Sequence, residues 1–489
     1  MTETVDHLRT AEAPVPTKFS DYVRGMGPGI VVALSWLGTG DLINSSVSGA
    51  NYGYALLWAL AIATLARFFV VSALSKYQLC NSQGDDTILD GFERVWRGFP
   101  MLLGIFAVLL GFVYHAFLFL AAGTSLYYLF GQFGGDYGTF IFSIVVCAAV
   151  IFLATRSKEY RGLEIVAQIA MAFLVITFAY ALISSGFDFL AFLRGLFLFA
   201  VPPQQGPFGA LVIVISIIGA VGGSVANLMY PYFIRDKGWH GPRYRRLQVF
   251  DLLFGVVTLI VLNFMVWIVA AELLRGRGDT ISAPEDLARM MELAIGPLGP
   301  TLMWIAIFFT VFDNITCQLY AFPRMMIEAI HKRYPARAER YGYLARAADY
   351  EAIPEIDVAG DPHAVHDHPP ASEVEEDRRS TLPSDTFVSD PLIRWIQAFL
   401  LFPPLIFSLP QGPNLIVLTV FGNALQVIVV PAIIVGLIWI TNSRRWMLRE
   451  YANSWWENLL LLAIGAIGLW ATYNLITETY AALAGLFGS

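Results

Sequence analysis

Residues 35–46 read SWLGTGDLINSS, inside an apolar stretch that opens near Gly27. Two glycines, a threonine and an aspartate interrupt it where a membrane helix should be most uniform. A carboxylate at the bilayer centre costs about 3 kcal/mol or more, so such groups face a cavity and carry a task. Asp41 is therefore expected at a break in the helix, with the flanking glycines allowing the backbone to unwind.

The rest of the chain makes this segment a membrane span. Of 489 residues, 57% are hydrophobic and 14% charged, and mean hydropathy is +0.61. That composition excludes a soluble globular protein and points to an all-α polytopic membrane protein. Eleven runs are long enough to cross ~30 Å of hydrocarbon. They lie near 27–47, 54–79, 101–130, 137–155, 163–184, 208–234, 249–272, 298–330, 391–409, 414–441 and 457–485. The tail 1–26 is polar and has no apolar h-region, so no cleaved signal peptide is expected.

With the amino terminus inside, the inner loops and tail carry 16 Lys and Arg, leaving out 331–390, against 4 in the outer loops. The asymmetry predicts an integral protein of the plasma (inner) membrane, amino terminus cytoplasmic and carboxyl terminus outside. Cys80, Cys147 and Cys317 show no paired spacing, so neither a disulfide framework nor a zinc cluster is indicated. No nucleophile–base pair or nucleotide loop is legible. The expectation is a non-enzyme without cofactor or nucleic-acid partner, its partners being the cargo and the lipid bilayer.

One soluble interruption, 331–390, is acidic and proline-bearing, with the composition of a disordered cytoplasmic linker. His363, His366 and His368 lie there among aspartates. Such a cluster could take a metal, but a solvated linker is the preferred reading.

A second interrupted run is IIGAVGGSVANLMYPYF, 217–233. The two interruptions fall in the first and sixth spans, equivalent positions of a five-plus-five repeat. Repeat 1 would cover 27–184 and repeat 2 208–441, with 457–485 as an extra span. Glycines can also serve close helix packing alone. A matched pair of broken helices, however, points to a midplane substrate site between inverted repeats.

The stretch GPGIVVALSWLGTGDLINSSVSGANYGYALLW, 27–58, resembles the first two spans of the NRAMP divalent-metal transporters. Those read Pro-Gly, then Leu-Asp-Pro-Gly-Asn, then Gly-Tyr-x-Leu-Leu-Trp. SALSKYQLCNSQG after the second span, YRGLE opening the fifth, GA with NLMY in the sixth and TNSRR after the tenth extend the likeness over nearly the whole chain. The resemblance implies a LeuT-like fold.

The departures fall on the residues that bind metal in that family. Gly38 stands in the position of the first-span Asp, Thr39 in that of Pro, and Asp41 in that of Asn; Gly40 matches. The family's sixth-span methionine falls on Ser224 or Gly223, depending on the anchor, so no sulfur is present. Its sixth-span histidines are missing, with Val225, Ala226, Pro231 and Tyr232 nearby, and its tenth-span Gln becomes Asn423. The third span, where the family carries proton-conducting carboxylates, has no Asp or Glu in 101–130. His115 is a candidate proton relay there, though a packed role is preferred.

Two other intramembrane charges need weighing: Arg67 on the second span and Asp313 on the eighth. Arg67 could pair with Asp313 or with Asp41, making burial tolerable, or contact an anionic substrate. The expected site comprises Asp41, Gly38, Thr39, Gly222, Gly223, Ser224, Asn227 and Asn423, with Asp41 and Ser224 as direct metal ligands. An all-oxygen set suits a hard divalent cation, Mg2+ or Mn2+, carried without strict proton coupling. The alternatives are a carrier of a small organic or anionic solute, and a membrane sensor that does not transport.

Overall fold

The structure is a computed structural model that describes residues 15–16, 18–19, 22, 25–156, 160–205, 207–222, 224–341 and 390–487. Backbone polar groups have no water to bond in hydrocarbon, so the apolar runs resolve into helices that satisfy their own donors and acceptors. Among the described residues nine helices are long and apolar enough to cross a membrane, and the bent pair Pro28–Leu37 and Gly40–Tyr52 makes ten. The count of eleven is not confirmed, because the ninth apolar run, 391–409, forms only a shorter apolar helix, Leu392–Ser408. There the α-helix Leu392–Leu401 gives way to a 3-10 turn, Pro403–Ser408, because Pro403 and Pro404 supply no backbone N–H.

Both expected breaks are present. The first span is helical over Pro28–Leu37 and again over Thr39–Tyr52, the halves meeting at about 49° around Gly38. The sixth runs as an α-helix over Ala210–Ile217, loosens into a π-turn over Ile218–Gly222, and passes Ser224 in an extended conformation. It then resumes as a 3-10 turn, Val225–Leu228, and the helix Met229–Asp236. The Ser224 hydroxyl accepts the Ala226 N–H at 3.0 Å and so caps the new start. The tenth span is interrupted as well: Leu415–Leu425 and Val430–Asn442 are joined by a 3-10 turn, Gln426–Val429, just before Pro431.

The third span, Phe99–Leu129, and the eighth, Gly299–Arg333, form the most extensive helix pair. Gly104 lies against Met326 and Ala329, and Gly111 against Phe322. Small residues let membrane helices approach closely where no hydrophobic drive separates them from lipid. The fourth span, Gly138–Arg156, and the eleventh, Trp455–Phe487, lie at the periphery with most of their surface uncovered. Lys76 of the second span fastens the eleventh through Glu457 at 2.6 Å.

Helical structure runs past the end of the eighth apolar run into the soluble interruption. Helix continues to Arg333, and residues 335–341 are helical too. Arg337 and His331 close on Asp390 from across the segment: Nε to Oδ2 at 2.7 Å, Nη2 to Oδ1 at 2.8 Å, and His331 Nε2 to Oδ2 at 3.0 Å. His363, His366 and His368 lie outside the described residues.

Candidate functional site

The break in the first span places Asp41 in the first turn of Thr39–Tyr52, where the free N–H groups of a helix start favour a carboxylate. The side chain is buried. Its Oδ2 accepts from Asn263 Nδ2 at 3.3 Å and from Arg67 Nη1 at 3.5 Å. Asn263, on the seventh span, is itself held by the Ser45 hydroxyl at 2.8 Å. Asp41 Oδ1 has no hydrogen-bond partner among the described residues.

Arg67 decides between the two pairings left open by the sequence: it meets Asp41, not Asp313. Its guanidinium is completely buried and reaches across to the sixth-span break. Nε donates to the Val221 carbonyl at 2.6 Å and Nη2 to the Ala220 carbonyl at 2.5 Å. The Trp36 ring lies 4.8 Å from the guanidinium carbon, a cation–π arrangement. Asp313 is buried elsewhere on the eighth span, its Oδ2 3.8 Å from Cys317 Sγ.

A cavity of about 10 Å3, room for roughly one water, lies between the breaks. Ser35, Asp41, Arg67, Tyr114, Asn314, Gln318 and Asn423 supply its polar side chains. Three oxygens on this lining, Asp41 Oδ1, Gln318 Oε1 and Asn423 Oδ1, lack a hydrogen-bond donor among the described residues. Asn423 lies against Gly40. Ser224 stands behind Tyr114, the hydroxyls 2.7 Å apart, and Asn227 donates to the Gly222 carbonyl at 3.3 Å.

Most of the residues singled out above thus gather at one junction: Gly38, Asp41, Arg67, Gly222, Ser224, Asn227 and Asn423. The Thr39 side chain and Gly223 lie outside the described residues. His115 is not on the cavity; its Nδ1 bonds the Gly111 carbonyl of its own helix at 2.8 Å and its ring packs near Phe119. Among the described residues, no group of three or more His, Cys, Asp or Glu could hold a metal ion. Any cation here relies on one carboxylate with neutral oxygens. Beside Arg67 it also meets a like charge; unit charges 4 Å apart interact by about 4 kcal/mol at an effective dielectric of 20, and a divalent ion by about twice that.

Several residues on this junction were not singled out in the sequence, among them Tyr114. Asn314 and Gln318, one turn apart on the eighth span, and Asn263 on the seventh are polar groups in apolar runs, which is itself a signal. Trp36 carries none, since it reads as ordinary apolar lining.

A sequence model of the family described as "Natural resistance-associated macrophage protein-like" (Nramp) matches residues 29–348 and 381–478. Proteins named "Divalent metal cation transporter MntH" are similar to this chain. The one from Caldanaerobacter subterraneus subsp. tengcongensis is 21% identical over 301 residues, 60% of this chain and 68% of that protein. The one from Mycobacterium tuberculosis is 22% identical over 334 residues, 64% and 72%. The one from Listeria innocua serovar 6a is 22% identical over 282 residues, 55% and 60%, so the aligned part falls short of two thirds of that relative's length. Among solved structures, the Eremococcus coleocola manganese transporter in complex with an aromatic bis-isothiourea substituted compound superposes with a TM-score of 0.69 at 17% identity, covering 99% of this chain and 92% of that one. MhsT in complex with L-phenylalanine gives 0.51 at 14% identity, covering 92% and 97%. These likenesses establish a LeuT-like fold. The chain belongs to the Nramp family, an integral membrane protein of transporter type and not an enzyme.

Proposed function

We propose that this protein is a secondary transporter of a hard divalent cation, Mg2+ or Mn2+, working by alternating access around the junction of the first and sixth spans. The observation that carries the reading is the set of buried oxygens without donors, Asp41 Oδ1, Gln318 Oε1 and Asn423 Oδ1, on one cavity beside two helix breaks. Oxygen acceptors grouped in this way suit a hard cation, and no thiolate or thioether joins them. Asp41 is the charged ligand; Ser224, Asn227 and backbone carbonyls near Gly38 and Gly222 come into reach as the breaks move. Relatives named as divalent metal cation and manganese transporters support the cargo class.

Transport is not strictly proton-coupled on this reading. The third span lacks carboxylates, and His115 Nδ1 is engaged with Gly111. Proton paths through membranes are chains of Asp, Glu and His. The charge asymmetry of the loops supports a plasma-membrane protein with its amino terminus in the cytoplasm, and the two breaks support repeats over 27–184 and 208–441.

Binding of Mn2+ and Mg2+ to the purified protein, with Asp41→Asn beside it, tests the reading. Wild type should bind and the variant should not; equal binding by both would remove Asp41 from the site. A second reading, a small anionic solute, is favoured by the buried Arg67 guanidinium facing the cavity. It takes over if wild-type vesicles accumulate no divalent ion yet take up small carboxylates in an Arg67-dependent manner.

A further inference from the structure

Arg67 lies in TLARFFVV, an apolar run of the second span, and its guanidinium is entirely buried. A guanidinium keeps its charge and is more weakly hydrated than an ammonium, so it tolerates such burial when fully bonded. Its three hydrogen-bond acceptors are a carboxylate oxygen, Asp41 Oδ2, and the carbonyls of Ala220 and Val221. Those two carbonyls belong to the π-turn Ile218–Gly222, where the regular helical ladder is interrupted. One carboxylate and two break-exposed carbonyls are the donor set that a dehydrated cation would use.

We infer that Arg67 is a resident cation of this transporter: its tethered guanidinium fills the cation place between Asp41 and the sixth-span break whenever cargo is absent. This deepens the divalent-cation reading and rests on it. Cargo and guanidinium compete for the same oxygens, so the ion enters only as Arg67 turns away. The empty carrier then closes with Arg67 back in place. A buried carboxylate without a partner is strongly disfavoured in the membrane, and the guanidinium relieves that cost. The return step needs no second ion from solution, which gives uncoupled transport a structural cause.

The experiment uses the full chain in lipid nanodiscs, with two probes: Mn2+ and methylguanidinium. Thermal unfolding and Mn2+ binding are followed in wild type, Arg67→Ala and the double variant Asp41→Asn/Arg67→Ala. Removing the competing charge should tighten Mn2+ binding at least about tenfold in Arg67→Ala. Millimolar methylguanidinium should raise the melting temperature of Arg67→Ala, leave wild type unmoved, and lose its effect in the double variant. Rescue by methylguanidinium without any Mn2+ or Mg2+ binding would uphold the resident cation and overturn divalent cargo. Equal Mn2+ affinity in wild type and Arg67→Ala would overturn the resident cation and leave divalent cargo standing. Failure of both probes on Arg67→Ala would overturn both. Should Arg67→Ala not fold, Arg67→Lys keeps the charge but loses the fork. Several-fold tighter Mn2+ binding then supports the inference, and unchanged binding refutes it.

Discussion

Asp251, on the seventh span, holds the start of the first span: its Oδ2 accepts the Gly29 N–H at 2.7 Å, and Oδ1 accepts that of Gly27 at 3.0 Å. The hydroxyl of Tyr230, from the second half of the sixth span, donates to the same Oδ2 at 2.8 Å. One carboxylate therefore ties three spans, including the first half of one broken helix, Pro28–Leu37, and the second half of the other, Met229–Asp236. It satisfies N–H groups that a helix start leaves without partners, and hydrogen bonds to a charged acceptor contribute roughly 1.5–3 kcal/mol each.

This latch closes one end of the junction, so weakening it should open that end. In Asp251→Asn the acceptor loses its charge and one oxygen. A cysteine at Ser35, on the cavity, should then react with a water-soluble maleimide at least about tenfold faster, corresponding to about 1.4 kcal/mol in the opening equilibrium. Unchanged labelling would mean that the latch does not govern access.

Two glycines of the sixth-span break, Gly219 and Gly222, have different surroundings. A Cβ on Gly219 would run into the Asn423 backbone carbonyl, which cannot swing aside. At Gly222 the nearest atom to such a Cβ is the Ala63 carbonyl oxygen at 3.3 Å, a tight but adjustable approach. Gly219→Ala should cost about 1–3 kcal/mol as an overpacking defect and lower the melting temperature clearly, whereas Gly222→Ala should change it far less. Similar melting temperatures for the two variants would contradict this packing at the tenth span.

Among the described residues outside the membrane, Asp390 carries a pH dependence. Burial pushes its carboxyl up, but Arg337, the Leu392 N–H and His331 outweigh that and hold it well below the usual carboxylate range. A depressed carboxylate stabilises the fold above its unfolded pKa, near ~3.9, and loses that contribution as pH falls toward its folded value. The melting-temperature gap between wild type and Asp390→Asn should stay constant from about pH 8 to 5 and shrink only below about pH 4. A gap that already narrows near pH 6 would assign the clamp to another group.

How much of this could be read from the sequence depends on the range of each interaction. Span positions follow from local hydropathy, and Gly38 with Asp41 marks the first break because both signals lie within four residues. The turn at Gln426–Val429 has only Pro431 as a local sign, and the prolines at 403 and 404 shorten a segment whose hydropathy alone looks sufficient. Long-range choices stay open. Arg67 had two acidic candidates, and its selection of Asp41 depends on the sixth-span carbonyls, 153 and 154 residues away. The latch from Asp251 to Gly29 spans 222 residues, and neither stretch names its partner. Side-chain chemistry is local; the company it keeps is set by the fold.

Selectivity follows from the proposed ligand set, which holds oxygens and no sulfur, and is testable at Ser224. Hydroxyl, amide and carboxylate oxygens favour hard ions, and a polarizable thioether favours soft ones. Wild type should therefore give Cd2+ no advantage over Mn2+. Ser224→Met places sulfur beside Tyr114 at the sixth-span break and should shift the Cd2+ to Mn2+ affinity ratio toward Cd2+ by roughly tenfold. The substitution also removes the cap on Ala226, which costs about 1 kcal/mol of stability whatever the cargo. Ser224→Ala separates the two effects, since it loses the same cap without gaining sulfur. Competition binding in the three proteins decides the matter: a ratio that moves equally in both variants traces to the cap, and a wild type that already prefers Cd2+ refutes the oxygen-only site.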